Sequence, residues 1–326
     1  AFNRDAITQS SSAAFGGGKT GRVFISRFID DNARETGNPF RYLETLVVDN
    51  GSDGRFLDKP WLAVDKPRAD AGACTIPGDG DIGPQTFPSG NVYVAYTTFV
   101  GKSDVNIRTK VMFARSSDCG RTWSKQKLSE GYPVNQGAVI AIEPNSGAVY
   151  VAWRRFRSDK GDPDGFLIAK SVDGGRSFTK AIDVVTFTPY TLAGSTTQVS
   201  RIFEQGTSIA SFRTTGFPAL AVDRMGVVYL AWAERSIGPM AASGIMMRRS
   251  ADGLAWTETA FPLDNSAQPV HQMMPTLMFH AGRLSLSYYN LVEDHTVGFL
   301  DALADGTYEE RREPAGDLAD ATPVLQ

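Results

Sequence analysis

One eight-residue pattern constrains this chain more than any other. Ser116-Ser117-Asp118-Cys119-Gly120-Arg121-Thr122-Trp123 returns as Ser171-Val172-Asp173-Gly174-Gly175-Arg176-Ser177-Phe178, and a shorter copy follows as Ser250-Ala251-Asp252-Gly253-Leu254-Ala255-Trp256. Each copy follows a short apolar run and precedes another candidate strand, so each reads as the turn of a β-hairpin. The Asp accepts hydrogen bonds from backbone N–H groups of its own turn, and Gly supplies the positive φ the turn needs. The closing aromatic tucks under the hairpin as an anchor.

The strands around the turns repeat as well. Asn91-Val92-Tyr93-Val94-Ala95-Tyr96, Ala148-Val149-Tyr150-Val151-Ala152-Trp153 and Val227-Val228-Tyr229-Leu230-Ala231-Trp232 align without gaps, and Arg283-Leu284-Ser285-Leu286-Ser287-Tyr288 fits more loosely. Upstream of each lies a nearly continuous apolar run: Pro60–Asp65, Ala138–Glu143, Pro218–Asp223 and Pro275–Phe279. Such runs predict a strand buried on both faces. Downstream come Val111–Arg115, Phe166–Lys170 and Ile245–Arg249, each leading into a turn. The repeating order is therefore strand a, strand b, strand c, turn, strand d. Four antiparallel strands recurring every ~55–80 residues make the blades of a β-propeller.

The turn pattern resembles the Asp-box, or BNR repeat, of the sialidase-like β-propellers. The resemblance covers roughly residues 55–308 and rests on the turns and strands. It implies an all-β fold in one domain, a propeller of five to six four-stranded antiparallel blades. Residues 1–59 form a partial first blade with a degenerate turn at Ser52-Asp53-Gly54-Arg55-Phe56. Residues 60–136, 137–216 and 217–273 form complete blades, and 274–326 form the last, its turn reduced to Ala304-Asp305-Gly306-Thr307-Tyr308. Asp118, Gly120, Trp123, Asp173, Gly175, Phe178, Asp252 and Trp256 are its structural turn residues.

Composition agrees with this reading and excludes others. The 326 residues are 42% hydrophobic, enough for a sizeable core, and include 32 Gly and 17 Pro, a strand-and-turn balance. A net charge of −3 lacks the basic stripe expected of a nucleic-acid binder. No apolar run approaches the ~18 residues of a membrane span. The chain begins at Ala1 and reads as a processed or trimmed form. No His/Cys pattern has structural-zinc spacing. Gly16-Gly17-Gly18-Lys19-Thr20 lacks the spacing and following helix of a phosphate loop.

A blade has two ends. The c–d turns mark the bottom rim, and the family resemblance places the binding site at the opposite mouth. Cys74 falls in the a–b loop of one blade and Cys119 in the c–d turn of the same blade. Both are bottom-end positions, so a Cys74–Cys119 disulfide is expected, in keeping with a secreted, periplasmic or extracellular protein. Asp79 and Asp81 at the bottom, and Asp159, Asp162 and Asp164 at the top, have the carboxylate oxygens to hold a structural Ca2+. Neither cluster has full EF-hand spacing, and solvated turn residues are the simpler reading. No other cofactor or metal is expected.

In strand b the column Tyr96, Trp153, Trp232, Tyr288 is always aromatic, as a packing column should be. The positions after it differ between blades: Thr97-Thr98, Arg154-Arg155, Ala233-Glu234 and Tyr289-Asn290. Loop ends that vary over a fixed scaffold are where function is placed. Asp58, Lys59, Gln136, Arg213 and His271 join them from the d–a connections, and Arg157, Arg235, Glu293 and Asp294 from the b–c loops. Arg binds carboxylate bidentately, so this lining suits an anionic glycan. Sialidases hold the substrate carboxylate with three Arg and use a Tyr nucleophile polarised by Glu, with an Asp acid/base. The resemblance thus implies Tyr289, Glu234 and Asp58 as catalytic residues, and Arg154, Arg155, Arg213, Arg235 and His271 as substrate-binding ones. The Phe/Tyr-Arg-Ile-Pro motif of sialidases is absent.

The most concrete function is an exo-glycoside hydrolase for acidic sugars. The alternatives are a non-catalytic propeller that binds glycan or a protein partner through its mouth or rim, and a polysaccharide lyase. In the lyase, His271 or Tyr289 takes the proton α to a uronate carboxylate while Arg213 neutralises it.

Overall fold

The computed structural model describes residues 2–4, 21–30, 40–52, 54–69, 71–77, 83–101, 108–131, 133–158, 160–189, 216–234, 243–257, 261–262 and 271–291. Every regular element among them is a β-strand, and all pairings between them are antiparallel. The chain forms two compact units, one of Ala1–Val151 with Ser171–Lys180, the other of Ala152–Lys170 with Ala181–Gln326.

In the first unit β1 (Phe2–Arg4), β2 (Gly21–Asp30) and β3 (Phe40–Asn50) form a three-stranded sheet. Next come β4 (Arg55–Val64), β5 (Ala73–Ile76), β6 (Gln85–Pro88), β7 (Val92–Val100), β8 (Arg108–Ser116) and β9 (Ser124–Lys127). Strands β4-β7-β8-β9 make one four-stranded sheet, and the β5–β6 hairpin is inserted between its first two strands. Strands β10 (Asn135–Ile142), β11 (Val149–Arg155), β12 (Gly165–Ser171) and β13 (Ile182–Thr186) make a second in the same order; β10 belongs to the first unit, and Ala152–Arg155, Gly165–Lys170 and β13 to the second. In the second unit β14 (Ala219–Val222), β15 (Val228–Glu234), β16 (Gly244–Ser250) and β17 (Phe261–Pro262) make a third. Strands β18 (His271–His280) and β19 (Arg283–Leu291) pair with each other.

Consecutive sheets pack through small and branched apolar residues. Val23, Ile25 and Val48 meet Leu57, Val94, Tyr96 and Ala114 in the first unit, with Trp123 against them. Ala219, Ala221, Ala231, Ala233, Ile245 and Met247 meet Leu277 in the second. The aromatic column behaves as packing: Tyr96, Trp153 and Trp232 are fully buried, and Tyr288 is partly buried against the second cluster. An aromatic side chain that hides ~200 Å² contributes at most about 5 kcal/mol by transfer.

The three recurring turns share one hydrogen-bond scheme. The first residue of each pattern is the hub: Ser116, Ser171 and Ser250 donate through Oγ to the Asp Oδ1 at 2.6, 2.7 and 3.0 Å. Each also accepts from a glycine amide, Gly120, Gly175 or Gly253, at 2.8–2.9 Å. The Asp Oδ1 then accepts two further amides, from Arg121 and Thr122, Arg176 and Ser177, or Leu254 and Ala255. Gly120 has φ +84° and a Cβ there would lie 2.3 Å from Ile25 Cδ1, so both conformation and close approach require glycine. Cys119 adopts φ 61° where the sister turn uses Gly174 at 68°.

The turns also tie neighbouring sheets together. Arg115 Nε donates to Gly174 O at 2.7 Å, Tyr93 Oη to the same oxygen at 3.2 Å, and Gln126 Nε2 to Gly175 O at 2.8 Å. In the second unit Lys170 Nζ donates to Asp252 O at 2.8 Å. Arg115 and Lys170 occupy the same place, just before the turn Ser, so in these two repeats a basic side chain latches the following turn.

Two features depart from expectation. Strand a of the first complete sheet begins at Arg55, so Asp58 and Lys59 lie within β4 rather than in a connection before it. Trp61, Leu62 and Val64 are 45%, 54% and 61% exposed rather than buried on both faces. A bulge between Asp58 and Trp61 interrupts the register of β4, and Leu57 ahead of it is the residue of that strand that enters the core. Ahead of β4 the described residues hold β1, β2 and β3, in keeping with a partial blade, and an isolated bridge joins Ser52 and Arg55 at the degenerate turn.

Candidate functional site

The second strands of the sheets, β7, β11, β15 and β19, each end just past the aromatic column. In β7 these positions are structural: Thr97 and Thr98 are buried at 0% and 2% exposure. In β11 Arg154 is 1% exposed. Its Nη2 and Nε donate to Asp164 Oδ1 at 2.7 and 3.2 Å, and its guanidinium carbon lies 4.1 Å from the Phe156 ring centroid and 5.1 Å from that of Phe187. Burial pulls its pKa below the ordinary arginine value, and the Asp164 carboxylate opposes that shift. A charge this deep is tolerable only when paired.

The cluster continues from Arg154 through the second unit. Phe187 stacks on Phe166 with centroids 4.4 Å apart, and Phe166 meets Trp232 at 5.9 Å. Trp232 Nε1 donates to Glu234 Oε2 at 2.9 Å, and the Thr188 amide donates to Glu234 Oε1 at 3.0 Å. Both carboxylate oxygens of Glu234 are therefore fixed, one by an indole from the packing column and one by backbone. A carboxylate held this way can polarise a hydroxyl or exchange a proton with a group placed against it.

The remaining candidates are placed as follows. Arg155 pairs with Asp183 at 2.5 Å and donates through Nε to Pro163 O at 3.1 Å. Tyr289 stands opposite Met273 in the β18–β19 ladder and is 43% exposed. Asp58, in the first unit, accepts from Gln136 Nε2 at 2.6 Å and from the Lys59 amide at 2.9 Å. The backbone of His271 pairs with Leu291 in the same ladder as Tyr289. Arg213 and Arg235 lie outside the described residues, as do Asp53, Asp79, Asp81, Asp159, Glu293, Asp294, the glycine run at 16–18 and the reduced turn at 304–308.

Asp162 accepts from the Ser158 hydroxyl at 2.5 Å, and Asp164 is committed to Arg154. A guanidinium beside Asp164 opposes a cation at that carboxylate. Among the described residues no group of three or more His, Cys, Asp or Glu side chains converges as a metal cage. The structure pairs Cys74 with Cys119, with Cα atoms 6.2 Å apart, inside the span a disulfide accepts. Sequence reasoning missed Asp164, Asp183 and Phe187 as the partners that occupy Arg154 and Arg155. The only sequence signal was the position of Asp164 directly ahead of strand c.

No protein-family model and no curated protein matches the chain. Among solved structures the chain is similar to a Hadza microbial sialidase, at 14% identity over 61% of this chain, with a TM-score of 0.36. It spans 42% of that sialidase's length. It is similar to the GH93 α-L-arabinofuranosidase of Fusarium graminearum solved with arabinobiose, at 13% identity, covering 74% of this chain and 63% of that one, TM-score 0.41. It is also similar to the leech intramolecular trans-sialidase, at 12% identity, covering 64% and 34%, TM-score 0.32.

Proposed function

We propose that the chain is a β-propeller of the BNR class that acts on carbohydrate at the ends of its second strands, most concretely as an exo-glycoside hydrolase. The repeated a-b-c-turn-d sheets, with one turn chemistry and a basic latch shared by two of the repeats, support the propeller. The observation that carries the activity is Glu234, both of whose carboxylate oxygens are held in place in the same unit as the exposed Tyr289 phenol. In this reading Tyr289 is the nucleophile and Glu234 its polarising base, and Asp58 serves as acid/base. Tyr-nucleophile glycosidases depart from the two-carboxylate scheme in this way.

Substrate preference rests less on Arg154 than the sequence suggests. With Asp164 already on its guanidinium, Arg154 supports the wall of the site rather than a substrate carboxylate. Arg155 is likewise engaged by Asp183, so in this reading selectivity for an acidic sugar falls chiefly to Arg213 and Arg235. A disulfide-bonded chain of this kind fits an oxidising, extracytoplasmic location.

The test is turnover of a panel of aryl glycosides, sialosides and arabinofuranosides included. Glu234→Gln and Tyr289→Phe are expected to lower kcat by about 100-fold or more while glycan binding persists. Absence of turnover across the panel, with binding retained by the wild-type chain, overturns the hydrolase in favour of a glycan-binding propeller. An ultraviolet-absorbing unsaturated product would point to a lyase.

A further inference from the structure

Within the first unit, the end that carries the recurring turns bears an open cavity of about 410 Å³. It lies at the opposite end of β4, β7 and β8 from Asp58 and Thr98, roughly 20 Å away at ~3.3 Å per strand residue. Its size is that of a small-ligand site, but its lining is polar rather than apolar. Six charged side chains contribute: Asp65, Lys66, Arg68, Arg115, Asp173 and Arg176.

The two acids are already spoken for. Asp65 takes a fork from Arg68, Nε to Oδ2 at 2.7 Å and Nη2 to Oδ1 at 2.8 Å. Asp173 is saturated by its own turn, where Ser177 and Ser171 hydroxyls and two amides surround it. The other three cations are not neutralised. Arg115 spends Nε and Nη2 on the neutral acceptors Gly174 O and Asn91 Oδ1. Arg176 spends Nη1 on Asp173 O. Lys66 is exposed. With Lys66, Arg68, Arg115 and Arg176 set against Asp65 and Asp173, the cavity presents net positive charge and unspent N–H donors, its two carboxylates already hydrogen-bonded, and no exposed aromatic face on which a neutral sugar would stack.

We propose that this cavity binds a small ligand through an oxyanion, a carboxylate, sulfate or phosphate group, held by Arg115, Arg176 and Lys66. Guanidinium forks and an ammonium point charge are the side chains that recognise such groups. The disulfide sets the shape of the site. Gly72 and Ser117 line the cavity two residues before Cys74 and Cys119, and Ser89 joins them, its amide donating to Gly72 O and its hydroxyl to Ser117 O. The site is independent of the strand-end residues proposed for catalysis.

The test is calorimetric titration of the full chain with sulfate, inorganic phosphate, glucuronate and glucose at constant ionic strength. Saturable binding of one or more of the three anions, with none of glucose, is expected; which anion binds identifies the source of the group. The double variant Lys66→Ser/Arg176→Gln should weaken that binding about tenfold or more. Lys66→Glu makes no change to any hydrogen bond of the turn, so it serves as a second variant and should weaken it as well. No saturable binding of any anion, equal binding of glucose, or unchanged affinity in both variants would overturn the proposal.

Discussion

At the scale of single residues, the recurring turn is a device for holding an ionised carboxylate. The Ser177 hydroxyl and amide, with Ser171 and the Arg176 amide, hold the Asp173 carboxyl well below the ordinary range. At Asp118 burial pushes the carboxyl up, but the Ser116 and Thr122 hydroxyls and the turn amides outweigh it and the net shift is down. The Ala255 and Leu254 amides lower Asp252 in the same way. A carboxyl lowered in the folded state contributes stability that is complete above its unfolded pKa, about 4, and is lost as pH falls through the lowered folded value. The chain should therefore lose stability from about pH 4 downward. Asp173→Asn keeps the shape of the side chain and removes the charge. The gap in Tm between wild type and this variant should be wide at pH 7 and should narrow at pH 3. A gap that does not change with pH would mean that shape alone, not charge, holds the turn.

At the scale of elements, the sheets divide into parts that were legible in sequence and parts that were not. Strands b and c could be placed because their apolar columns recur in register. The turns could be placed because Asp and Gly have one job there. The role of the turn Ser was not read, although Ser116, Ser171 and Ser250 hold the same position in every copy. The β5–β6 hairpin was illegible because it has no repeat in the sequence, and the bulge in β4 because its counterpart between Met273 and Thr276 shares backbone geometry, with Lys59 and Met274 both at positive φ, while the residue type at that position differs. The site was less legible still. An Arg after an aromatic column reads the same whether it meets solvent or a buried Asp, and the partner of Arg154 comes from the far side of a loop. That pairing makes its own prediction. Asp164→Ala should destabilise the second unit by about 3–5 kcal/mol, since it strands a buried guanidinium. Adding Arg154→Met to Asp164→Ala should restore much of the loss, because the charge leaves with its partner. Urea midpoints of the single and double variants decide the matter. A double variant as unstable as Asp164→Ala would show that the pair is needed for more than mutual neutralisation.

At the scale of the whole molecule, the chain is two compact units, and only the first holds cysteines. The disulfide spans 45 residues, from the hairpin inserted after β4 to the turn after β8. Closing a loop of that length in the unfolded chain is worth about 4 kcal/mol in the loop-entropy account. It also keeps Cys119 in the left-handed region, where a non-glycine residue costs about 1–2 kcal/mol. These contributions belong to the first unit alone, so reduction should act locally. In hydrogen exchange followed by mass spectrometry, reduced protein should lose amide protection in β4 and β7–β9, while β14–β16 of the second unit keep theirs. A double Cys74→Ala/Cys119→Gly variant separates the two effects, because glycine relieves the backbone while the cross-link is gone. It should exchange more slowly than Cys74→Ala/Cys119→Ala in the same strands and faster than the oxidised wild type. Uniform loss of protection across both units on reduction would show that they unfold as one body, and the sheet-by-sheet account of stability would fail with it.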